Sequence, residues 1–242
     1  MALPRFFHSP LPPSGSIVLE PAEGRHASNV LRLERGAQVV VFDGSGGEAL
    51  CTITDIDKRQ VTLAIERRTD SDRELRRPLE LWVALPKGDR QKTLIDGLVQ
   101  MGVTRLIPLV CRRGVAQPNP GALDRLRRGV IETSKQCGRN RLLEIGDPQS
   151  VPEGVVQPAQ LDQRLSLVAH PYGNSRSLGE FQSVDTGPPR ALRVAVGPEG
   201  GFTDEEVALW GDSGWESVSL GPRIMRIEMA ALQIAAWWGA QP

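Results

Sequence analysis

The stretch Val196-Gly197-Pro198-Glu199-Gly200-Gly201-Phe202 ends a short apolar run, Leu192 to Val196, at a glycine-rich turn. Helix-type sequence follows at once. Thr203 is a good N-cap, Glu206 three residues later completes a capping box, and Phe202 with Val207 has the spacing of a hydrophobic staple. A tight loop is thus held between a strand and a firmly started helix over Asp204–Trp210. The same order recurs nearer the C-terminus. There the strand Ser217–Leu220 runs into Gly221-Pro222-Arg223-Ile224-Met225-Arg226-Ile227-Glu228, and an apolar helix spans Met229–Trp238. Strand, glycine turn and helix form the repeating unit of an open α/β sheet, whose ligands bind outside the carboxyl ends of the strands.

The same rhythm extends upstream to Leu79. Strands are predicted at Leu79–Leu85, Arg105–Val110, Leu142–Ile145 and Arg164–Ala169. Helices are predicted at Arg90–Met101, stopped by Gly102, and at Leu123–Cys137, stopped by Gly138. Such alternation implies a mainly parallel sheet covered on both faces. The segment 146–163 is poor in structure signals and reads as a surface connection. Before residue 70 the pattern is all-β. Ile17–Leu19, Gln38–Phe42, Ala49–Ile53 and Gln60–Ile65 are short β-branched runs separated by turn residues, enough for a small barrel. A short helix is expected over His26–Gly36. The polar run 67–78 reads as a solvated linker. The chain therefore divides into a β-barrel domain, 1–72, and an α/β domain, 78–242.

Composition narrows the function classes. The 242 residues are 40% hydrophobic and 24% charged, with 29 basic and 29 acidic side chains, so formal net charge is zero. A histone-like polycation is excluded; RNA binding is not, because the arrangement of charge matters more than its sum. Lysine occurs only at positions 58, 87, 92 and 135, so the basic side chains are mostly arginine. That bias suits bidentate phosphate contacts and is also what a high-GC genome produces. No apolar run approaches the roughly 18 residues of a membrane span, and no signal-peptide pattern opens the chain, so a cytoplasmic location is expected. Cys51, Cys111 and Cys137 are isolated from one another and from His8, His26 and His170. We read all three as packing residues, and no metal site is expected.

Three turns fall at strand carboxyl ends: Ala169-His170-Pro171, Gly197–Gly201 and Leu220–Arg226. Glycine lets a planar ligand approach backbone N–H and C=O groups closely. The pattern is neither G-x-G-x-x-G nor a P-loop, so an ordinary dinucleotide or nucleoside-triphosphate fold is disfavoured.

Gly197-Pro198-Glu199-Gly200-Gly201-Phe202 and Leu220-Gly221-Pro222-Arg223-Ile224-Met225-Arg226-Ile227-Glu228-Met229-Ala230 resemble the two C-terminal motifs of RsmE-type enzymes. These are 16S ribosomal RNA uridine-N3 methyltransferases of the SPOUT superfamily. Pro4–Phe7, His26 with Asn29–Arg32, Lys87–Arg90, Met101–Val103, Arg112-Arg113 and Gln136–Arg139 fall in matching order. The resemblance implies an N-terminal PUA-like RNA-binding barrel and a C-terminal SPOUT domain with a deep trefoil knot and a mainly parallel sheet. It implies S-adenosylmethionine held by Ala169, His170, Val196, Gly197, Pro198, Glu199, Gly200, Leu220, Gly221, Ile224 and Met225. It also implies a homodimer with the site at the subunit interface, and a uridine near the 3′ end of 16S RNA in the small ribosomal subunit as substrate.

Methylating uridine N3 requires removal of its proton or stabilisation of the resulting anion. Glu228 is the first candidate for the base; as a helix N-terminal acid it also has a purely structural reading. Arg226 is suited to orient substrate or stabilise charge. Glu199 has an alternative as an acid that orders its loop. For RNA contact the candidates are Arg5, His26, Arg32, Arg112, Arg113, Arg139 and Arg141, with His26 equally readable as a satisfied turn residue. Arg125, Arg127 and Arg128 read as a solvated helix face. Substitution at Gly197 is expected to fill the space adenine needs. Where the family usually has a glutamate, a lysine and two threonines, this chain has Gln100, a residue near Gly97, Ile227 and Met229. Those threonines flank the candidate base, which keeps a second function open: a knotted RNA-binding assembly factor that transfers little or no methyl.

Overall fold

A computed structural model describes residues 3–57, 60–152, 164–173, 175–181 and 190–241. The chain folds as two compact units, one formed by the chain up to Glu74 together with Ile131–Leu142, the other by Leu75–Val130 and Leu143 onward. A linear division at 72–78 therefore misses that the first unit is discontinuous.

The first unit is a five-stranded sheet in the order β1-β3-β4-β5-β2. Its strands are β1 (Arg5–Phe7), β2 (Ser16–Val18), β3 (Gln38–Phe42), β4 (Gly47–Ile56) and β5 (Val61–Asp70). All pairs are antiparallel except β1 with β3. Alternate residues Val39 and Val41, Cys51 and Ile53, and Val61 and Leu63 fill one core with Phe6 and Ile17, as a period of two requires. Strand β5 runs further than its β-branched residues suggest. Arg67 to Asp70 pair with Leu50 to Gly47, so the polar run beginning at residue 67 opens as strand: ladder bonds, not side-chain polarity, decide the backbone there. The helix expected over 26–36 also shifts. Helix α1 spans Pro21–Arg25 and continues as a π-helical turn, His26–Val30, before Arg32 adopts φ +52°. Proline at the first helical position accounts for the earlier start.

Ion pairs and hydrogen bonds join 131–142 to the rest of this unit. Arg5 Nη1 donates to Glu48 Oε2 at 2.9 Å, and Arg5 also bonds Asn140. Arg73 donates to Glu48 at 3.3 Å and to the Gly138 carbonyl at 2.9 Å. Arg139 Nε donates to Glu74 at 2.9 Å, and Lys135 to Glu23 at 2.7 Å.

The second unit is a parallel sheet, β11-β13-β10-β12-β6-β7-β8, with β9 on β7. Its strands are β6 (Leu79–Val83), β7 (Arg105–Val110), β8 (Glu144–Ile145), β9 (Gln149–Ser150), β10 (Arg164–Ala169), β11 (Arg176–Ser177), β12 (Ala191–Val196) and β13 (Glu216–Ser219). The longer described helices are α2 (Arg90–Gln100), α3 (Pro120–Cys137, whose residues from Ile131 belong to the first unit), α4 (Asp204–Asp212) and α5 (Ile227–Gly239). One face packs Trp82, Ile107, Leu109, Val168 and Ala195 against Phe202, Trp210 and Trp215. Buried Arg193 lies on this face, 3.1 Å from Glu80 and over the Trp82 and Trp215 rings. The opposite face carries α5, which packs on β6, β12 and α2. There Gly97 of α2 faces Leu232, whose Cδ2 would lie 2.2 Å from a Cβ at 97. Trp238 at the far end of α5 donates to the Arg77 carbonyl at 3.0 Å and receives the Arg77 guanidinium on its ring at 4.3 Å. Most of the expected connection, 153–163, lies outside the described residues.

Burial pushes the Cys51 thiol up to about 11 and the Cys111 thiol, with Glu206 nearby, up to about 12, so both are inert packing groups. Cys137 corrects the expectation for the third, being exposed. No described helix is long and apolar enough to cross a membrane.

Candidate functional site

Strands β13, β10 and β12 are neighbours, and their carboxyl ends are Ser219, Ala169 and Val196. The three glycine- or proline-containing turns therefore emerge side by side. On the other flank of β12 lies β6, whose chain goes on to β7 while that of β12 goes on to β13. The strand order reverses at this point, and a crevice opens where the following segments part.

The crevice is a cleft of about 310 Å³. Ala169, His170, Val196, Gly197, Pro198, Glu199, Gly200, Leu220, Gly221, Ile224 and Met225, named from sequence, all line it. Tyr172, Arg113, Asp204, Arg223, Ile227 and Ala230 line it too. The size suits one small ligand, and much of the wall is main chain with apolar side chains around it. Gly201 has φ +69°, a left-handed conformation that a residue with a Cβ resists. At Gly197 a second constraint stands beside the expected one. A Cβ there would come 3.1 Å from the Phe202 ring, tighter than an ordinary contact, so a side chain at 197 also presses on the aromatic core.

The loop after β12 is braced from outside. Thr203 caps α4 by accepting from the Glu206 N–H at 3.2 Å, while the Glu206 carboxylate accepts from the Thr203 N–H at 2.8 Å. The other Glu206 oxygen accepts the Arg112 N–H at 2.9 Å. The capping glutamate therefore also ties the loop to the end of β7, which explains its burial. Glu199 pairs with Arg90 at 2.8 Å. Sequence alone does not single out Arg90 as a brace, because only strand order reveals that the turn after β6 adjoins the turn after β12. Burial depresses the His170 pKa, with Asp204 partly opposing, so the imidazole in the wall is neutral at pH 7.

Glu228 sits in the first turn of α5, buried, with Oε2 lacking a hydrogen-bond partner among the described residues. Its neighbours Ile227 and Ala230 line the cleft, whereas Glu228 and Arg226 do not, and Arg226 is exposed. A buried carboxylate oxygen without a partner is uncommon and marks a functional candidate.

The RNA candidates separate. Arg32, Arg112, Arg113 and Arg141 are exposed. His26 is half-buried, its ring edge-on to Phe6. Arg5 and Arg139 must be withdrawn as surface contacts: their side chains are 13% and 4% exposed and engaged with Glu48 and Glu74. Arg113 lies in the cleft, bonded to the loop after β12. Among the described residues no cluster of three or more His, Cys, Asp or Glu has the geometry to hold a metal.

Comparison with known proteins agrees with this architecture. A family model described as an RNA methyltransferase domain matches residues 73–239, and one described as an RNA methyltransferase PUA domain matches 19–66. Ribosomal RNA small subunit methyltransferase E of Synechocystis is 31% identical over 87% of this chain and 68% of its own length. The protein of the same name from Bacillus subtilis is 29% identical over 87% of this chain and 84% of its own. The crystal structure of ribosomal RNA small subunit methyltransferase E from Neisseria gonorrhoeae, bound to S-adenosyl methionine, superposes with a TM-score of 0.87 at 27% identity, covering 97% of this chain and 96% of that one.

Proposed function

Since this chain belongs to the RNA methyltransferase family, with ribosomal RNA small subunit methyltransferase E among its relatives, we propose that it methylates N3 of one uridine near the 3′ end of 16S RNA in the small ribosomal subunit. The observation that carries this reading is the convergence of three turns, at the ends of β10, β12 and β13, on one cleft lined by all eleven residues named from sequence. S-adenosylmethionine, when bound there, supplies a methyl group made electrophilic by its sulfonium. The backbone of Val196–Gly200 and of Leu220–Gly221 would hold the adenine, with Ile224 and Met225 against its apolar faces.

The chain's own residues do the remaining work. Glu228 takes the N3 proton, its unpartnered Oε2 being the acceptor, and Arg226 balances the charge that develops on the uracil oxygens. The replacement of threonine by Ile227 leaves the base an apolar neighbour on the cleft side. The functional assembly is a cytoplasmic homodimer: Ile224 and Met229, 72% and 49% exposed beside the cleft, are the apolar surface a second copy would cover and would bring to the site. A trefoil knot belongs to the same reading. After β12 the chain passes over β10 to β13 and then returns as α5 against β6 and β12. The PUA-like barrel is the chain up to about residue 72 with 131–142 added, and the methyltransferase domain is the rest of 78–242. RNA contacts come from Arg32 and Arg141 of the first unit, where His26 is half-buried, and from Arg112 of the second.

Calorimetric titration with S-adenosylmethionine tests the cleft. Incubation with small subunits from a strain lacking the methylation, followed by mass mapping of the RNA, tests the reaction. Glu228→Gln is expected to bind the cofactor normally and to lower kcat by roughly a hundredfold or more; near-normal turnover removes Glu228 as base.

A further inference from the structure

Arg112-Arg113 reads from sequence as one basic pair, yet the structure gives its two members different employment. Arg112 projects a side chain that is 71% exposed, at 3.8 Å from Glu205. Arg113 is exposed too, but it lies along the wall of the cleft, where its Nη1 donates to the Gly200 carbonyl at 2.9 Å and to the Phe202 carbonyl at 3.3 Å. Its aliphatic stem lies on the turn. A Cβ at Gly200 would come 3.3 Å from the Arg113 Cβ and 3.4 Å from its Cδ, so residue 200 is glycine where the arginine crosses. The backbone just before Arg113 is itself fixed, because the Arg112 N–H is held by Glu206. The arginine therefore starts from a braced position.

We infer that Arg113 is a positioning residue of the methyl-donor loop, and that its guanidinium, at the wall of the cleft, serves the turn and not an RNA phosphate. The inference rests on the reading of the cleft as the methyl-donor site. One guanidinium nitrogen fixes two carbonyls two residues apart, and each fixed carbonyl sets the orientation of its peptide plane. The N–H groups of the same turn are thereby aimed before any ligand arrives, which lowers the ordering cost of binding. A charged donor makes stronger bonds than a neutral one would. Arg90 on Glu199 braces the preceding residue, so the turn is held from two sides.

The test compares wild type, Arg113→Ala, Arg113→Lys and Arg112→Ala, all as full chains. Calorimetry gives the Kd for S-adenosylmethionine, filter binding at fixed salt gives the affinity for small subunits, and thermal melting reports folding. Arg113→Ala is expected to raise the cofactor Kd roughly tenfold while small-subunit affinity stays at the wild-type value. Arg113→Lys should recover only part of the loss, since a point charge cannot reproduce the planar fork. Arg112→Ala should show the reverse pattern. A lowered melting temperature with unchanged cofactor Kd would mean a merely structural arginine and overturn the inference. So would lost small-subunit affinity as the main effect of Arg113→Ala. If Arg113→Ala does not fold, a wild-type Kd in Arg113→Lys overturns it equally. Failure of the wild-type protein to bind the cofactor is a distinct result, and it strikes the reading of the cleft itself.

Discussion

At Gly197 a single methyl group has two consequences. The Cβ of Gly197→Ala meets the Phe202 ring at 3.1 Å, and Phe202 is 4% exposed within the aromatic cluster, so the ring cannot swing into solvent. Overpacking of this kind costs about 1–3 kcal/mol. Gly197→Ala should therefore lower the melting temperature of the unliganded protein as well as weaken cofactor binding, and melting curves with and without S-adenosylmethionine separate the two effects. Weakened binding with an unchanged unliganded melt would show that the ring is not the obstacle. The direction of that Cβ was invisible in the sequence, which disclosed only that a glycine stood at a strand end. Arg5 and Arg139 illustrate the same gap. Arginine at a position suited to RNA looks identical whether it faces phosphate or a buried glutamate, and only the partner across 43 or 65 residues decides.

Among the elements, the crossing of α2 and α5 offers a test in which two rules oppose. Gly97→Ala should favour α2 by up to about 1 kcal/mol through helix propensity. The new Cβ, however, falls 2.2 Å from Leu232 Cδ2 and 3.1 Å from its Cγ, inside a packed interface. Leu232 must change rotamer or α5 must move, and a cost of about 1–3 kcal/mol outweighs the propensity gain. Denaturant unfolding should show net destabilisation, relieved when Leu232→Ala is added; a stabilised Gly97→Ala would mean that Leu232 yields freely. Long elements with a clear period were legible to within a few residues, among them β7, β10, β12 and helices α2 to α5. Strands β1, β9 and β11, two or three residues each, were not, because a period of two cannot be detected over so short a run. The π-helical turn after α1 likewise leaves no mark in composition. The cleft lining was legible because its residues are contiguous in three turns; its braces, Arg90 and Arg113, were not, because they follow β6 and β7, whose place beside β12 only the sheet order reveals.

For the molecule as a whole, acid should act through the first unit. Burial raises the Glu48 carboxyl, but hydrogen bonds and charge from Arg73 and Arg5 outweigh it and hold its pKa below the ordinary glutamate value. A group depressed in the folded state contributes fully above its unfolded pKa, about 4.3, and its contribution is lost as pH falls through the folded value. The contribution of Glu48 to the stability of this unit, followed by denaturant unfolding, should therefore be independent of pH near neutrality and decline below about pH 4.3. Glu48→Gln should lose stability at neutral pH and flatten the acid decline; an unchanged acid limb would assign it to other groups. The discontinuity of that unit has a bearing on how the protein is made. Residues up to Glu74 leave the ribosome well before Arg139 and Asn140 exist, so Glu74 spends the intervening synthesis without Arg139, and Arg5, already able to meet Glu48, without Asn140. The first segment to be translated is consequently not the first that can be completed, and a nascent chain truncated anywhere before Leu142 carries a barrel with its polar side still open.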